Sequence, residues 1–190
     1  MGLWVLRHAK PLIGQGVCYG QLDMPADPDL TLGAARAAAK ALPANARLRY
    51  SPLQRCEQLT QALCSLRPDL ALDCRPDARL MEMHFGVHEG QRWADIDPGL
   101  VQAWTDDFAD HRFGGAESVR EFMARVGGVW DEREVEEVWV SHAGVARAAS
   151  LLHRGLRCVG QACEWPVDAP AYGEWLQLEA PYSGAGVLAR

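Results

Sequence analysis

Two arginines and two histidines stand out in this sequence because each lies at the end of a short apolar run or the start of a helical one, and one glutamate joins them as a candidate acid. Arg7 and His8 follow Leu3-Trp-Val-Leu6, and Arg55 lies within Ser51-Pro52-Leu53-Gln54-Arg55-Cys56. His142 follows Val138-Trp-Val140, within Ser141-His142-Ala143-Gly144, and Glu82 lies in Arg79-Leu-Met-Glu-Met-His-Phe-Gly86. Guanidinium groups recognise phosphate oxygens with several planar donors at once, and a neutral imidazole is a competent nucleophile. A phosphate dianion resists attack, so its charge must be spread while nucleophile and leaving group are held in line. In that chemistry Arg7, Arg55 and His142 grip the anion and His8 attacks, its lone pair kept available by the flanking arginines. Glu82 gives a proton to the departing oxygen and then activates water. Singly, each residue is an ordinary strand end or surface charge; together, in order and at strand ends, they predict one site.

For these residues to meet, the strands must finish on a common edge. Leu3 to Leu6 reads as a buried strand, and a loop rich in Gly, Pro and Asp runs from Pro11 to about Asp29. Thr31 is the expected cap of a helix to about Leu42, with Leu32, Ala35, Ala39 and Leu42 on its buried face. Arg47 to Tyr50 is a second strand. Ser51 as cap and Pro52 as first residue predict a helix to about Leu66 that buries Leu59, Leu63 and Leu66. Ala71 to Cys74 and Arg79 to Met83 read as short extended pieces, and Phe85 to Asp97 as an irregular loop with a helical turn near Trp93. Leu100 to Phe108 and Glu117 to Trp130 are expected helices, the second amphipathic through Val119, Phe122, Met123, Val126 and Val129. Val138 to Val140 is a strand, followed by a helix to about Arg154 and a last strand from Tyr172 to Leu178, after which the chain is expected to fray. Strands alternating with helices predict an α/β fold, a three-layer α/β/α sandwich around a mostly parallel sheet, in one domain over residues 1–190. Ligands of such sheets bind at the C-terminal strand ends, where helix N-termini present backbone N–H groups to anions.

The bulk properties narrow the partners. At 190 residues the chain can bury a sizeable core without disulfides or metals. A net charge of −6 argues against a nucleic-acid footprint or a polybasic membrane patch. No run is long enough to span a bilayer. The opening residues carry no cleavage site, and Leu6 breaks the myristoylation pattern, so the expected location is the cytoplasm. Cys18, Cys56, Cys64, Cys74, Cys158 and Cys163 show no C-x-x-C pairing and read as buried, reduced, small hydrophobes. No metal or organic cofactor is implied. The expected partner is a small phosphorylated substrate, with neither nucleic acid nor membrane, and a homodimer is compatible with the chain.

The chain resembles the histidine phosphatase superfamily, the group that includes cofactor-dependent phosphoglycerate mutases. Arg7-His8-Ala9 stands for the family's Arg-His-Gly, and Ser51-Pro52-Leu53-Gln54-Arg55-Cys56 for its Ser-Pro-Leu-x-Arg-Ala. Leu80 to Gly86, with Glu89-Gly90, is similar to its Leu-x-Glu-x-x-Phe/Tyr-Gly segment, Gly115-Ala116-Glu117-Ser118 to Gly-Gly-Glu-Ser, and Ser141-His142-Ala143-Gly144 to Ser-His-Gly-Gly. The resemblance implies a phosphoglycerate mutase-like fold and a phosphohistidine on His8. It also implies phosphate binding by Arg7, Arg55, His142 and the Ala143 N–H, and proton donation by Glu82. Ala9 and Ala143 each replace a glycine, which would strain the backbone if either position needs a positive φ. Lys10-Pro11-Leu12 replaces the Glu-Ser that usually follows in mutases and disfavours that activity. Gly16 to Pro25 and Glu89 to Ile96 look like segments of α-ribazole phosphatases, which remove a 5′-phosphate during assembly of the cobalamin nucleotide loop. In that reading Trp93 or Tyr19 would stack on the base. The alternatives are a broad-specificity sugar-phosphate or nucleotide phosphatase, a phosphohistidine-protein phosphatase, and a non-catalytic phospholigand-binding module. The role of the segment from Leu151 onward is open.

Overall fold

A computed structural model of the chain describes residues 2–133 and 136–179. Among them, five strands form one sheet: β1 (Leu3–Arg7), β2 (Arg47–Tyr50), β3 (Cys74–Pro76), β4 (Glu137–Ser141) and β5 (Trp175–Leu178). Their spatial order is β3-β2-β4-β1-β5. The first four pair in parallel, and β5 runs antiparallel to β1 at the edge. The helices are α1 (Pro28–Ala41), α2 (Gln54–Leu66), α3 (Pro68–Ala71), α4 (Pro98–Asp106), α5 (Val119–Asp131) and α6 (Ala143–His153).

Side chains alternate across each strand, and here both faces are covered, which is why the central strands β1 and β4 carry nearly continuous apolar runs. Leu6, Leu48, Val138 and Val140 pack against Ala35 and Ala38 of α1 and Leu59 and Leu63 of α2. Leu3, Val5 and Trp139 face the other way, against Phe122, Val126 and Val129 of α5 and Ala148 and Leu151 of α6. Each such Leu, Val or Phe contributes about 1.5–3 kcal/mol through burial. The architecture is the expected α/β arrangement, a sheet flanked by helices on both faces.

Several local expectations need correction. α1 starts at Pro28 under an Asp27 cap whose carboxylate accepts from Asp29 and Leu30 N–H, while Thr31 is already inside the helix and donates its hydroxyl to Asp27 O at 2.7 Å. Leu32 and Leu66 are exposed rather than buried. The third strand is Cys74–Pro76, because Pro68 opens the short helix α3 that runs through Ala71. Arg79 to Met83 is not a strand: the Asp77 carboxylate caps a 3-10 turn over Ala78–Leu80. Of the cysteines only Cys18 and Cys56 are buried; Cys64, Cys74 and Cys158 are half-buried, Cys163 is exposed, and none forms a disulfide. The chain end expected to fray lies outside the described residues. No helix among those residues is long and apolar enough to cross a membrane.

Register decides what the sheet delivers. Arg7 of β1 lies opposite Ser141 of β4, and Tyr50 of β2 lies opposite Val140. His8, Ser51 and His142 therefore leave the sheet at one level, on the C-terminal edge of adjacent parallel strands. On the face toward α5, buried Arg49 donates to Glu132 (2.9 Å) and to fully buried Glu137 (3.3 Å), and Trp139 Nε1–H donates to Glu137 (2.9 Å). Removing one member of a buried pair leaves the other charge uncompensated. Arg49→Met is expected to lower stability by about 3 kcal/mol in urea unfolding, and a loss below about 1 kcal/mol would show that Arg47, 3.5 Å from Glu137, compensates that charge by itself.

Candidate active site

His8 is buried, with its ring centroid 5.1 Å from that of His142 in an edge-to-face arrangement. Its Nδ1 lies 2.7 Å from the carbonyl of Ala9. A carbonyl only accepts, so Nδ1 carries the hydrogen and Nε2 keeps the lone pair. Burial, and then the charge of Arg55, lower the pKa of His8 to about 3, with Arg7 adding to the effect against the opposing Ala9 hydrogen bond. The pKa of His142 is also well below the usual value, through burial and then the charges of Arg55, His8, Arg125 and Arg7. Both rings are neutral at physiological pH.

Arg55 has no solvent exposure. Its guanidinium donates to Gly20 O (2.6 Å) and Leu22 O (3.0 Å) and touches Met24 Sδ at 3.4 Å, while its Nε is buried with no acceptor among the described residues. Arg7 donates to Pro170 O at 2.9 Å, lies over the Tyr172 ring at 3.9 Å, and also has a buried Nε with no acceptor there. Neither arginine forms an ion pair with a carboxylate among the described residues. Two cations held this way by neutral groups create a field that suits an oxyanion.

Ser51 is not a helix cap. Its hydroxyl shares a 2.8 Å hydrogen bond with His142 Nε2, and Cys56 Sγ lies 3.5 Å from the same nitrogen. The first turn of α2 is served across space by Asp23, which accepts from the Gln54 backbone N–H at 2.8 Å and side chain at 3.0 Å. Ala143 opens α6, where the leading N–H groups have no intrahelical acceptor. Glu82 takes the next one, accepting from Gly144 N–H at 2.9 Å and from Met83 N–H at 3.0 Å. A Cβ on residue 144 would stand 2.1 Å from the Glu82 carboxylate, so a side chain there would push the carboxylate from its place at the head of α6. Neither Ala9 nor Ala143 has a positive φ, so replacing glycine with alanine strains neither position.

All the predicted residues thus gather at one strand edge: Arg7, His8, Arg55 and His142 around the two imidazoles, with Ala143 and Glu82 at the head of α6. Sequence reasoning missed three supports. Arg125 of α5 donates to the carbonyls of Arg79, Met81 and Glu82, and Glu117 holds it in place at 2.6 Å. The polar residues at Gly115-Ala116-Glu117-Ser118 were the available signal. Tyr172 lies over Arg7, and its hydroxyl bonds that of Tyr19 at 2.7 Å. Glu89 accepts from Gln21 and Phe85 N–H, both at 2.9 Å, and ties the loop around Gly20 to the segment that carries Glu82. No group of three or more His, Cys, Asp or Glu side chains among the described residues is arranged to hold a metal ion.

The pattern of the histidine phosphatase superfamily (branch 1) matches residues 3–158, which span every one of these positions except Pro170 and Tyr172. No curated protein sequence matches the chain. Among solved structures, the protein TTHB049 from Thermus thermophilus has a TM-score of 0.73 at 26% identity, over 95% of each chain. A mycobacterial glucosyl-3-phosphoglycerate phosphatase has a TM-score of 0.74 at 27% identity, covering 93% of this chain and 88% of its own. A protein described as mycobacterial hydrolase 1 has a TM-score of 0.74 at 26% identity, over 93% and 87% of the two chains. The fold is the phosphoglycerate mutase-like one that these proteins share. With most of its length matching the family pattern, the chain belongs to the histidine phosphatase superfamily and is a phosphoric monoester hydrolase.

Proposed function

We propose that the chain hydrolyses a small phosphomonoester through a covalent phosphohistidine on His8. The observation that carries this reading is the buried, neutral imidazole whose Nδ1–H is tied to Ala9 O, which leaves Nε2 as a lone pair within the field of two cations that have no carboxylate partner among the described residues. In the first step the Nε2 lone pair forms the N–P bond as the P–O bond to the alcohol breaks. Arg7, Arg55, His142 and the Ala143 N–H hold the equatorial oxygens, and Glu82 gives its proton to the departing oxygen. In the second step Glu82 takes a proton from water. The new O–P bond forms as the P–N bond breaks, and inorganic phosphate leaves with the Nε2 lone pair restored. Fixed donors need no reorganisation as charge moves, which is the source of their catalytic effect.

The substrate reading that the chain's own segments favour is an α-ribazole 5′-phosphate type, in the assembly of the cobalamin nucleotide loop. Its support is that the segment from Gly16 to Pro25, which resembles those enzymes, supplies the Gly20 and Leu22 carbonyls that hold Arg55 and the Tyr19 that meets Tyr172. Likeness to a glucosyl-3-phosphoglycerate phosphatase favours a second reading, a sugar-phosphate phosphatase. A kcat/KM higher on α-ribazole 5′-phosphate than on glucosyl-3-phosphoglycerate selects the first, and the reverse order selects the second.

Rapid quench of the protein into alkaline denaturant during turnover should trap a phosphoryl group that is stable to base and lost in acid. His8→Ala should abolish the trapped group and lower turnover by roughly 10⁴-fold or more; a phosphoenzyme that survives this substitution would sink the assignment of His8. In the first step alone, read as the rate of phosphoenzyme formation, Glu82→Gln should slow alkyl phosphates by about 10²–10³-fold and p-nitrophenyl phosphate by less than about 10-fold, because an activated aryl oxide leaves without help. Equal losses on both substrates would remove Glu82 from the role of acid.

A further inference from the structure

A cavity of about 280 Å³ opens beside the phosphate site and shares Glu82 and Gly144 with it. Six aromatic side chains line it: Phe85, Trp93, Trp104, Phe108, Phe122 and Trp165. These rings brace one another. Trp104 stacks on Phe108 at 5.5 Å and on Phe113 at 4.8 Å, Phe85 meets Trp93 edge-on at 5.7 Å, and Phe122 meets Trp165 at 6.1 Å. The walls are therefore flat, apolar and preformed. A cavity of roughly 150 Å³ suffices for benzene, so this one is of a size for two fused rings.

Its polar groups are of one kind. Arg147, one turn into α6 from Gly144, donates to Val167 O at 2.8 Å and forms no ion pair among the described residues, although Glu82 and Asp168 act on it electrostatically. Its Nε is buried with no acceptor there, and so is the indole Nε1 of Trp104. Guanidinium and indole N–H groups only donate. The one carboxylate in the lining, Glu82, is occupied by backbone N–H groups and faces the scissile oxygen in the proposed reaction.

We infer that this cavity receives the alcohol part of the substrate, and that this part carries a flat, apolar, bicyclic ring bearing a hydrogen-bond acceptor. The inference rests on the phosphatase reading for its chemistry, since the group that leaves under Glu82 is the one that projects into a cavity walled by Glu82. The rings supply the area, and Trp104 and Arg147 supply donors that reward a ring nitrogen or oxygen and penalise a bare hydrocarbon. The same wall disfavours substrates whose alcohol is small and fully hydroxylated. Trp93 belongs to this cavity, whereas Tyr19 is engaged with Tyr172 and does not line it.

Three phosphates with similar primary-alcohol leaving groups test it: ethyl, naphthalen-2-ylmethyl and quinolin-3-ylmethyl phosphate. The naphthyl compound is expected to exceed ethyl phosphate by about 100-fold in kcat/KM through buried area. The quinoline should exceed the naphthalene by about 5-fold through its acceptor. In Trp104→Phe and Arg147→Met that second ratio should fall toward 1. A direct binding readout uses the non-hydrolysable quinolin-3-ylmethyl phosphonate with nitrogen-15-labelled protein. The Trp104 indole N–H resonance, identified by its loss in Trp104→Phe, should shift with this ligand and not with ethyl phosphonate. Equal kcat/KM for the three phosphates, or an indole resonance unmoved at saturating quinoline phosphonate, overturns the ring site and leaves the phosphatase reading standing. A shifted resonance with no turnover of any phosphate upholds the ring site and overturns the phosphatase reading.

Discussion

The rest of the structure depends on one uncompensated charge. Arg55 carries a guanidinium into a position with no solvent exposure, and its partners are carbonyls and a thioether rather than a carboxylate. Such burial is unfavourable by several kcal/mol unless the geometry is fully satisfied, and a core built only for stability would place an apolar residue there. The loop from Gly20 to Met24 wraps the group tightly, and its shape follows from that close fit. A Cβ on Gly20 would lie 1.8 Å from the Met83 carbonyl. The charge acts outward as well. It is the largest contribution after burial to the depressed basicity of both His8 and His142. A single side chain thus sets a cation at the strand edge and adds to burial in keeping both imidazoles unprotonated, as the proposed anion site requires.

Much of this was legible in the sequence, because the signals were local. Apolar runs that ended in Arg7-His8 and in Ser141-His142 announced strands with chemistry at their tips, and the parallel register placed those tips side by side. Ser118 and Glu121 form the reciprocal cap that opens α5 one or two residues from where periodicity put it. The misreadings share one cause, competition from contacts distant in the chain. Ser51-Pro52 has the local chemistry of a helix start, but the serine hydroxyl is taken by His142, and Asp23, from the loop before α1, serves that helix instead. Asp27 outcompetes Thr31 because Pro28 fits the first helical position and Thr31 then falls inside the turn. Arg79 to Met83 alternates like a strand, yet Asp77 and Arg125 claim its backbone groups.

The support of Glu82 shows how motif residues with no direct chemistry contribute. Glu117 fixes Arg125 through two contacts, and Arg125 fixes three carbonyls of the segment that ends in Glu82. Glu117 also accepts from His84 N–H at 3.0 Å, so it braces both sides of the carboxyl. The alignment of Glu82 with α6 is then completed by a glycine that leaves room for it. Charge-assisted contacts of this kind are among the stronger hydrogen bonds in proteins, which suits a group whose placement must hold within a fraction of an ångström.

The edge strand β5 and the loop before it have a consequence for the order in which the protein becomes competent. Arg7 is held by Pro170, Tyr172 and Glu174, and the His8 carbonyl accepts from Gly173 N–H at 3.1 Å. The residues that close over His8 follow it by about 165 positions in the chain. Such long-range closure is slow compared with local helix formation, and during synthesis it must wait for that later segment to emerge. A nascent chain therefore holds Arg7 without its final partners, and the strand edge around His8 is completed only when the sheet gains its antiparallel border.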